Sequence, residues 1–285
     1  MITISLTENG DLRVTQAMTS PAVYLDHWAL RIISENDDFT ARFVRAMEAR
    51  GGTLALSWVN LSEFVQVIFP EQIRKAEDLV EASLTRLFLL EVDPGVVIRR
   101  EDELLAGGLP RPPHGDSDFL KLLATINPNS VAPLSARGLF DGLRDPGIVQ
   151  RKAALADAFT GQIEQLRVEV ANHPPLAAAV RAVPRGPEIQ RGTRFILREL
   201  VRPLVTDKGK KITENDAIDF FHAVVPVAYC DYVLLDKPWA AQVAQIGLRS
   251  KKTGMNVPMA AVFSRGRSGV EELLRTLDVR NRSLG

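Results

Sequence analysis

Four carboxylates, Asp26, Glu63, Asp219 and Asp236, are placed in this sequence as if to share a cation. Asp26 and Asp236 each close a short apolar run, Ala22-Val23-Tyr24-Leu25-Asp26 and Tyr232-Val233-Leu234-Leu235-Asp236. Such runs are the pattern of parallel strands buried on both faces. Glu63 and Asp219 stand near the starts of predicted helices. Ligands of open α/β sheets bind beyond the carboxyl ends of the strands, so acids carried there converge on one crevice. Converging carboxylates repel and need a divalent countercharge, and an all-oxygen set suits Mg²⁺ or Mn²⁺ rather than zinc. The chemistry available to one or two such ions is activation of water for in-line attack on a phosphodiester, with neutralisation of the leaving oxygen. No Ser/His/Asp triad, glycine-rich phosphate loop or dinucleotide fingerprint competes with this reading.

Every acid also has a structural reading. Asp26 precedes a predicted helix and can cap it, Glu63 follows Asn60 by three residues as in a capping box, and Asp236 precedes Lys237-Pro238 like a cap. Asp219 has no such duty. It stands in the second turn of its helix beside Ile218, Phe220 and Phe221, where an unpaired charge is costly to desolvate. Thr213 and Asp216 form a capping box, which accounts for Asp216. Asp231 opens the strand that Asp236 ends, so it lies at the wrong edge and is assigned to structure. His222 shares a face with Asp219 and is expected to orient that acid or a scissile phosphate, or else to bond a neighbouring carbonyl.

These side chains need a frame to position them. Ile2, Ile4 and Leu6, then Asn9-Gly10, then Leu12 and Val14 signal a hairpin over 1–19. Strand, helix, helix, strand and helix alternate over 20–70, with strands at 22–26 and 53–59 and helices near 27–34, 38–50 and from 61. Over 71–205 the period is helical, with one helix marked by Leu79, Leu84, Leu87 and Phe88 and a long one over 148–172. Only 96–98 there resembles a strand, and loops rich in proline and glycine are expected at 107–115, 128–133 and 173–187. The α/β pattern resumes over 206–285, with helices at 213–229 and 238–247, strands at 232–236 and 257–263, and a closing helix carrying Val270, Leu273, Leu274 and Leu277. The fold expected is α/β, a three-layer Rossmann-like parallel-sheet core with a large helical insertion.

The chain has 285 residues, 35 basic against 35 acidic, so no whole-molecule field draws in a polyanion and any such partner is held by a local patch. Arg194, Arg198 and Arg202 share a helical face with Arg191 and lead into Lys208, Lys210 and Lys211 just before the helix of Asp219. A basic row running toward an acidic metal site suits a phosphate backbone. Arg249, Lys251, Lys252, Arg265 and Arg267 form a second candidate patch. The single cysteine, Cys230, excludes a disulfide framework, and with no leader and no long apolar run the expected location is the cytoplasm, with no membrane span.

The segments Val23-Tyr24-Leu25-Asp26-His27-Trp28-Ala29-Leu30, Ser57-Trp58-Val59-Asn60-Leu61-Ser62-Glu63, Asp219-Phe220-Phe221-His222-Ala223 and Tyr232-Val233-Leu234-Leu235-Asp236 together resemble the ordered motifs of PIN-domain (PIN-like) nucleases. The resemblance covers under half the chain, about 20–70 and 212–278. It implies a PIN-like core and a Mg²⁺- or Mn²⁺-dependent endoribonuclease acting on RNA or single-stranded DNA. Asp26, Glu63, Asp219 and Asp236 would be its metal ligands, with His222 beside them. Two departures stand out: Leu234 replaces the usual Thr or Ser two residues before the last acid, and the stretch over 71–205 far exceeds the family's usual connection. That stretch is expected to form a lid or a surface for a protein partner such as an antitoxin, and a homodimer is a separate expectation. A defence or regulatory role stands beside that of a toxin, and a non-catalytic module that binds nucleic acid or protein is the competing reading.

Overall fold

The apolar runs Ala22–Leu25 and Tyr232–Leu235 are neighbouring parallel strands at the centre of a five-stranded sheet in the computed structural model. The structure describes residues 2–7, 9, 12–66, 69–107, 112–126, 134–183, 192–207, 209, 211–252, 254 and 257–279. The hairpin is β1 (Ile2–Leu6) and β2 (Leu12–Gln16), paired antiparallel with Ile4 opposite Val14. Next come β3 (Ala22–Leu25), α1 (His27–Ser34), α2 (Asp37–Arg50), β4 (Thr53–Leu56), α3 (Trp58–Val65), α4 (Pro70–Ala82) and β5 (Leu87–Leu89). A helical series follows: α5 (Pro94–Ala106), α6 (Ser117–Ile126), α7 (Ala136–Leu143), α8 (Pro146–Asn172), α9 (Pro174–Arg181) and α10 (Gly192–Thr206). The chain then closes with α11 (Glu214–Tyr229), β6 (Tyr232–Leu235), α12 (Lys237–Lys252), β7 (Ala261–Ser264) and α13 (Arg267–Val279).

The sheet order is β5-β4-β3-β6-β7, all parallel, with helices flanking it in a three-layer α/β arrangement. The chain builds outward from β3 through β4 to β5, then returns to the other side of β3 for β6 and β7. The change of direction therefore falls between β3 and β6, where open α/β sheets leave a crevice at the carboxyl ends. Every residue of β3, β4 and β6 is buried, which explains why these strands read as unbroken apolar runs without alternation. Gly51, at φ 62°, ends α2 in the left-handed conformation that favours glycine and turns the chain into β4.

Several elements differ from those expected. Leu87 and Phe88 belong to β5 and not to a helix: α4 stops at Ala82, and Leu87–Leu89 pair in parallel with β4. Leucines spaced three and four apart fit a helix, but the contiguous run from Leu87 to Leu90 is wholly buried, as a sheet position requires. The stretch at 96–98 lies inside α5, started by Asp93, whose side chain accepts from Gly95 N and Val96 N, and by Pro94. Part of the expected loop at 173–187 is α9, which opens on two prolines. The strand expected over 53–59 ends at Leu56, because Ser57 caps α3 by accepting from Asn60 N at 3.1 Å. The last strand is Ala261–Ser264 rather than 257–263.

Candidate metal centre

Strand register brings the first and last acids together. Leu25 of β3 pairs with Leu234 of β6, so Asp26 stands level with Leu235 and Asp236 follows one residue farther along. Adjacent strands lie about 4.8 Å apart. Asp26 caps α1 as expected, accepting from His27 N at 2.6 Å, and its side chain is buried. The same oxygen lies 2.9 Å from His27 Nδ1.

Glu63 reaches the crevice because α3 starts earlier than the sequence reading placed it. The cap is Ser57, not Asn60, so Glu63 lies well inside the helix and has no capping role. Buried Asn60 instead donates from Nδ2 to Leu25 O at 2.8 Å, which fixes α3 to the end of β3 beside Asp26. Glu63 Oε2 lies 3.3 Å from His27 Nδ1 and 2.9 Å from His222 Nε2. Burial would raise its carboxyl, but hydrogen bonds from His222 and His27 outweigh that and hold it far below the usual carboxylate range.

His222 is buried on α11 and is held at both ring nitrogens. Nδ1 lies 2.7 Å from Tyr24 Oη, which is itself 3.0 Å from Ser57 Oγ. His222 thus orients Glu63 rather than the expected Asp219. One ligand atom each from Asp26, Glu63 and His222 lie within 4.8 Å of one another. Burial disfavours the charged ring of His27, yet Asp26 and Glu63 pull it up to about 10. His222 is also raised, against burial, by the charge of Asp26 and the bond to Glu63.

Asp219 and Asp236 complete the crevice outside that tight group. Burial first, and then the charge of Asp26, push Asp219 up to about 7, with Asp236 and Glu63 adding to the effect and His222 opposing it. Asp236 faces Arg265, whose Nη1 lies 3.3 Å from each carboxylate oxygen. Asp216 reciprocates with Thr213 in the expected capping box. Asp231 is structural as expected, accepting from Ala22 N at 2.7 Å and Ser20 Oγ at 2.9 Å.

The arginine row lies elsewhere. Arg194 Nη2 meets Asp102 at 2.6 Å, Arg198 Nη2 donates to Ala179 O at 2.9 Å, and Arg202 Nε is 3.6 Å from Glu199. All three line a cavity that also receives Phe220 and Phe221. At about 100° per residue, Phe221 projects from the side of α11 opposite Asp219. Lys211 is exposed ahead of α11, and Lys208 and Lys210 fall outside the described residues. In the second patch, Arg249 is bound to Glu199 at 2.7 Å and Arg267 to Glu271 at 3.0 Å, leaving Arg265 as its member at the crevice.

Tyr24, His27 and Ser57 also belong to the site, although neither residue type nor spacing singles out the last two. The signal for Tyr24 was a phenol within an otherwise aliphatic buried strand, since a buried hydroxyl needs a polar partner. Comparison with known proteins returns no matching family model, no similar curated protein and no similar solved structure, so the crevice is read from its own geometry. Among the described residues no helix is long and apolar enough to cross a membrane.

Proposed function

We propose that this chain is a PIN-like, divalent-metal-dependent nuclease that cuts RNA, with Asp26, Glu63, Asp219 and Asp236 around the ion and His222 completing the donor set. The observation that carries the reading is the meeting of Asp26, Glu63 and His222 within 4.8 Å at the direction change of a parallel sheet. The residues fit a hard or borderline divalent ion. His222 Nε2, bonded to Glu63 Oε2 at 2.9 Å, would give up that proton to join Asp26 and Glu63 as a ligand. An imidazole among carboxylates favours Mn²⁺ over Mg²⁺.

Bound Mn²⁺ or Mg²⁺ supplies activation of water for attack on a phosphodiester and neutralises the leaving oxygen. The chain's own residues do the positioning. Tyr24 and Ser57 lock His222, and His222 with Asn60 sets Glu63 against Asp26. Burial and the charge of Asp26 raise the Asp219 carboxyl in the ion-free site, and a bound cation would favour its ionised form beside Asp236. Arg265 is the guanidinium at the rim that could exchange Asp236 for a phosphate oxygen.

The test is incubation of end-labelled single-stranded RNA and DNA with the purified protein in Mn²⁺, Mg²⁺ or EDTA. Cleavage that requires the ion and disappears in Asp26→Asn is the expected result. Cleavage indifferent to EDTA, or equal in Asp26→Asn, overturns the reading.

A further inference from the structure

Behind the crevice, across α11, lies a cavity of about 520 Å³, a size typical of small-molecule sites. Its walls are apolar, built from Phe159, Ile163 and Leu166 of α8, Leu197 and Val201 of α10, and Phe221 of α11. Four guanidinium side chains, Arg99, Arg194, Arg198 and Arg202, border the same space. The Nε atoms of Arg194 and Arg202 are buried without a hydrogen-bond partner.

Acids account for part of this cluster: Asp102 takes Arg194 Nη2 at 2.6 Å. Asp93, the carboxylate in the wall, is turned to its own helix start, accepting from Gly95 N and Val96 N at 2.7 and 3.3 Å. Glu199 Oε2 takes its short contact, 2.7 Å, from Arg249 and stands 3.6 Å from Arg202. Arg99 is exposed and has no ion pair among the described residues. Guanidinium groups bordering the cavity, Arg99 among them, suit an anion, and the apolar walls suit hydrocarbon or an aromatic ring.

We propose that this cavity binds a small anionic amphiphile, its carboxylate or phosphate head held by the arginines and its apolar body packed against Phe159, Leu166 and Phe221. The proposal does not rest on the chemistry of the crevice. It assigns the arginine row to a ligand on the far face of α11 from Asp219, so the one helix carries both sites.

The anionic fluorophore 1-anilinonaphthalene-8-sulfonate tests it on the full chain. One saturable site is expected, with dodecanoate or dodecyl phosphate displacing the dye and raising the melting temperature while dodecanol does neither. The stronger of the two competitors identifies the head group. Leu166→Trp, which fills the cavity, and Arg198→Ala, which removes a cation, should each weaken that competitor by about tenfold or more. Displacement by dodecanol as effective as by dodecanoate, dye binding that does not saturate at one site, or displacement by RNA alone would overturn the proposal. The competition on the unmodified protein decides the matter even if a variant fails to fold.

Discussion

His222 Nε2 stands 2.9 Å from Glu63 Oε2, joining α11 to α3 across 159 residues of sequence. The ring is buried and its other nitrogen is taken by Tyr24 Oη, which Ser57 Oγ holds in turn. Removing one member leaves buried polar groups without partners, and that loss outweighs the bond itself. His222→Ala is expected to lower the unfolding free energy by about 2–3 kcal/mol and Tyr24→Phe by about 1 kcal/mol. In urea denaturation the double variant should lose less than the sum, because the two act through one contact. Strict additivity would show that they do not.

Asp219 carries the opposite sign. Burial first, then the charge of Asp26, raise its folded-state value to about 7, against an unfolded value near 4. The contribution of such a group to stability is complete below the unfolded value and is lost as pH rises through about 7. Asp219→Asn removes the buried charge, so in EDTA the variant should melt above the unmodified protein at pH 8, with the gap closing at pH 5. A variant that melts lower at pH 8 would mean that the ionised carboxylate has a stabilising partner in the crevice.

If Asp26, Glu63 and His222 hold the ion, binding stabilises the fold by mass action. Mn²⁺ is expected to raise the melting temperature more than Mg²⁺ at equal concentration, because a nitrogen donor favours the softer ion. Glu63→Gln should remove the effect of both ions, whereas His222→Gln should narrow the difference between them. Equal shifts with both ions in the unmodified protein would place His222 outside the coordination shell. Titration calorimetry reads the same quantity without heating.

Strand ends were the most legible part of this site. Asp26 and Asp236 could be placed from sequence because a wholly buried parallel strand is an apolar run and its last residue is fixed by where the run stops. Asp219 could be singled out because an acid amid Ile218, Phe220 and Phe221 has no local partner. Glu63 was harder, since Asn60 and Glu63 match a capping box and only the earlier start of α3 at Trp58 frees the acid. The histidine bridge was not legible: His27 and His222 meet Glu63 through tertiary packing that no spacing encodes. β5 failed for a related reason, because Leu79, Leu84, Leu87 and Phe88 satisfy a helical period although the last two lie in a strand.

Glu91 and Asp116 form a second buried acidic pair, beyond the end of β5, and give a separate pH test. Burial, and for Glu91 also the charge of Asp116, raise both carboxyls above the ordinary range. Arg100 offers little relief, with Nη1 4.0 Å from Glu91 Oε2. Raised folded-state values mean that stability declines as pH climbs from the ordinary carboxylate range toward neutrality. Glu91→Gln should flatten that decline in urea midpoints measured from pH 5 to pH 8. An unchanged slope would assign the pH dependence to the other raised groups, Asp116, Asp219, His27 and His222.

Arg265 is half exposed and meets Asp236 through two contacts of 3.3 Å, longer than a strong charge-assisted bond. An ion pair of that kind contributes about 0–1 kcal/mol and is screened by salt, so the guanidinium is free to leave Asp236 when a better anion arrives. Arg265→Ala should therefore change the melting temperature little. If the side chain transfers to an RNA phosphate, the variant should bind RNA more weakly, and the slope of log affinity against log salt should fall in magnitude by about 1. Arg267→Ala serves as the control, because that guanidinium is bound to Glu271 at 3.0 Å and lies over Phe39. A salt slope that falls equally in both variants would mean that the field of the whole basic face is acting. A fall in Arg265→Ala alone would place a phosphate beside Asp236, and with it the path of the strand across the ends of β6 and β7.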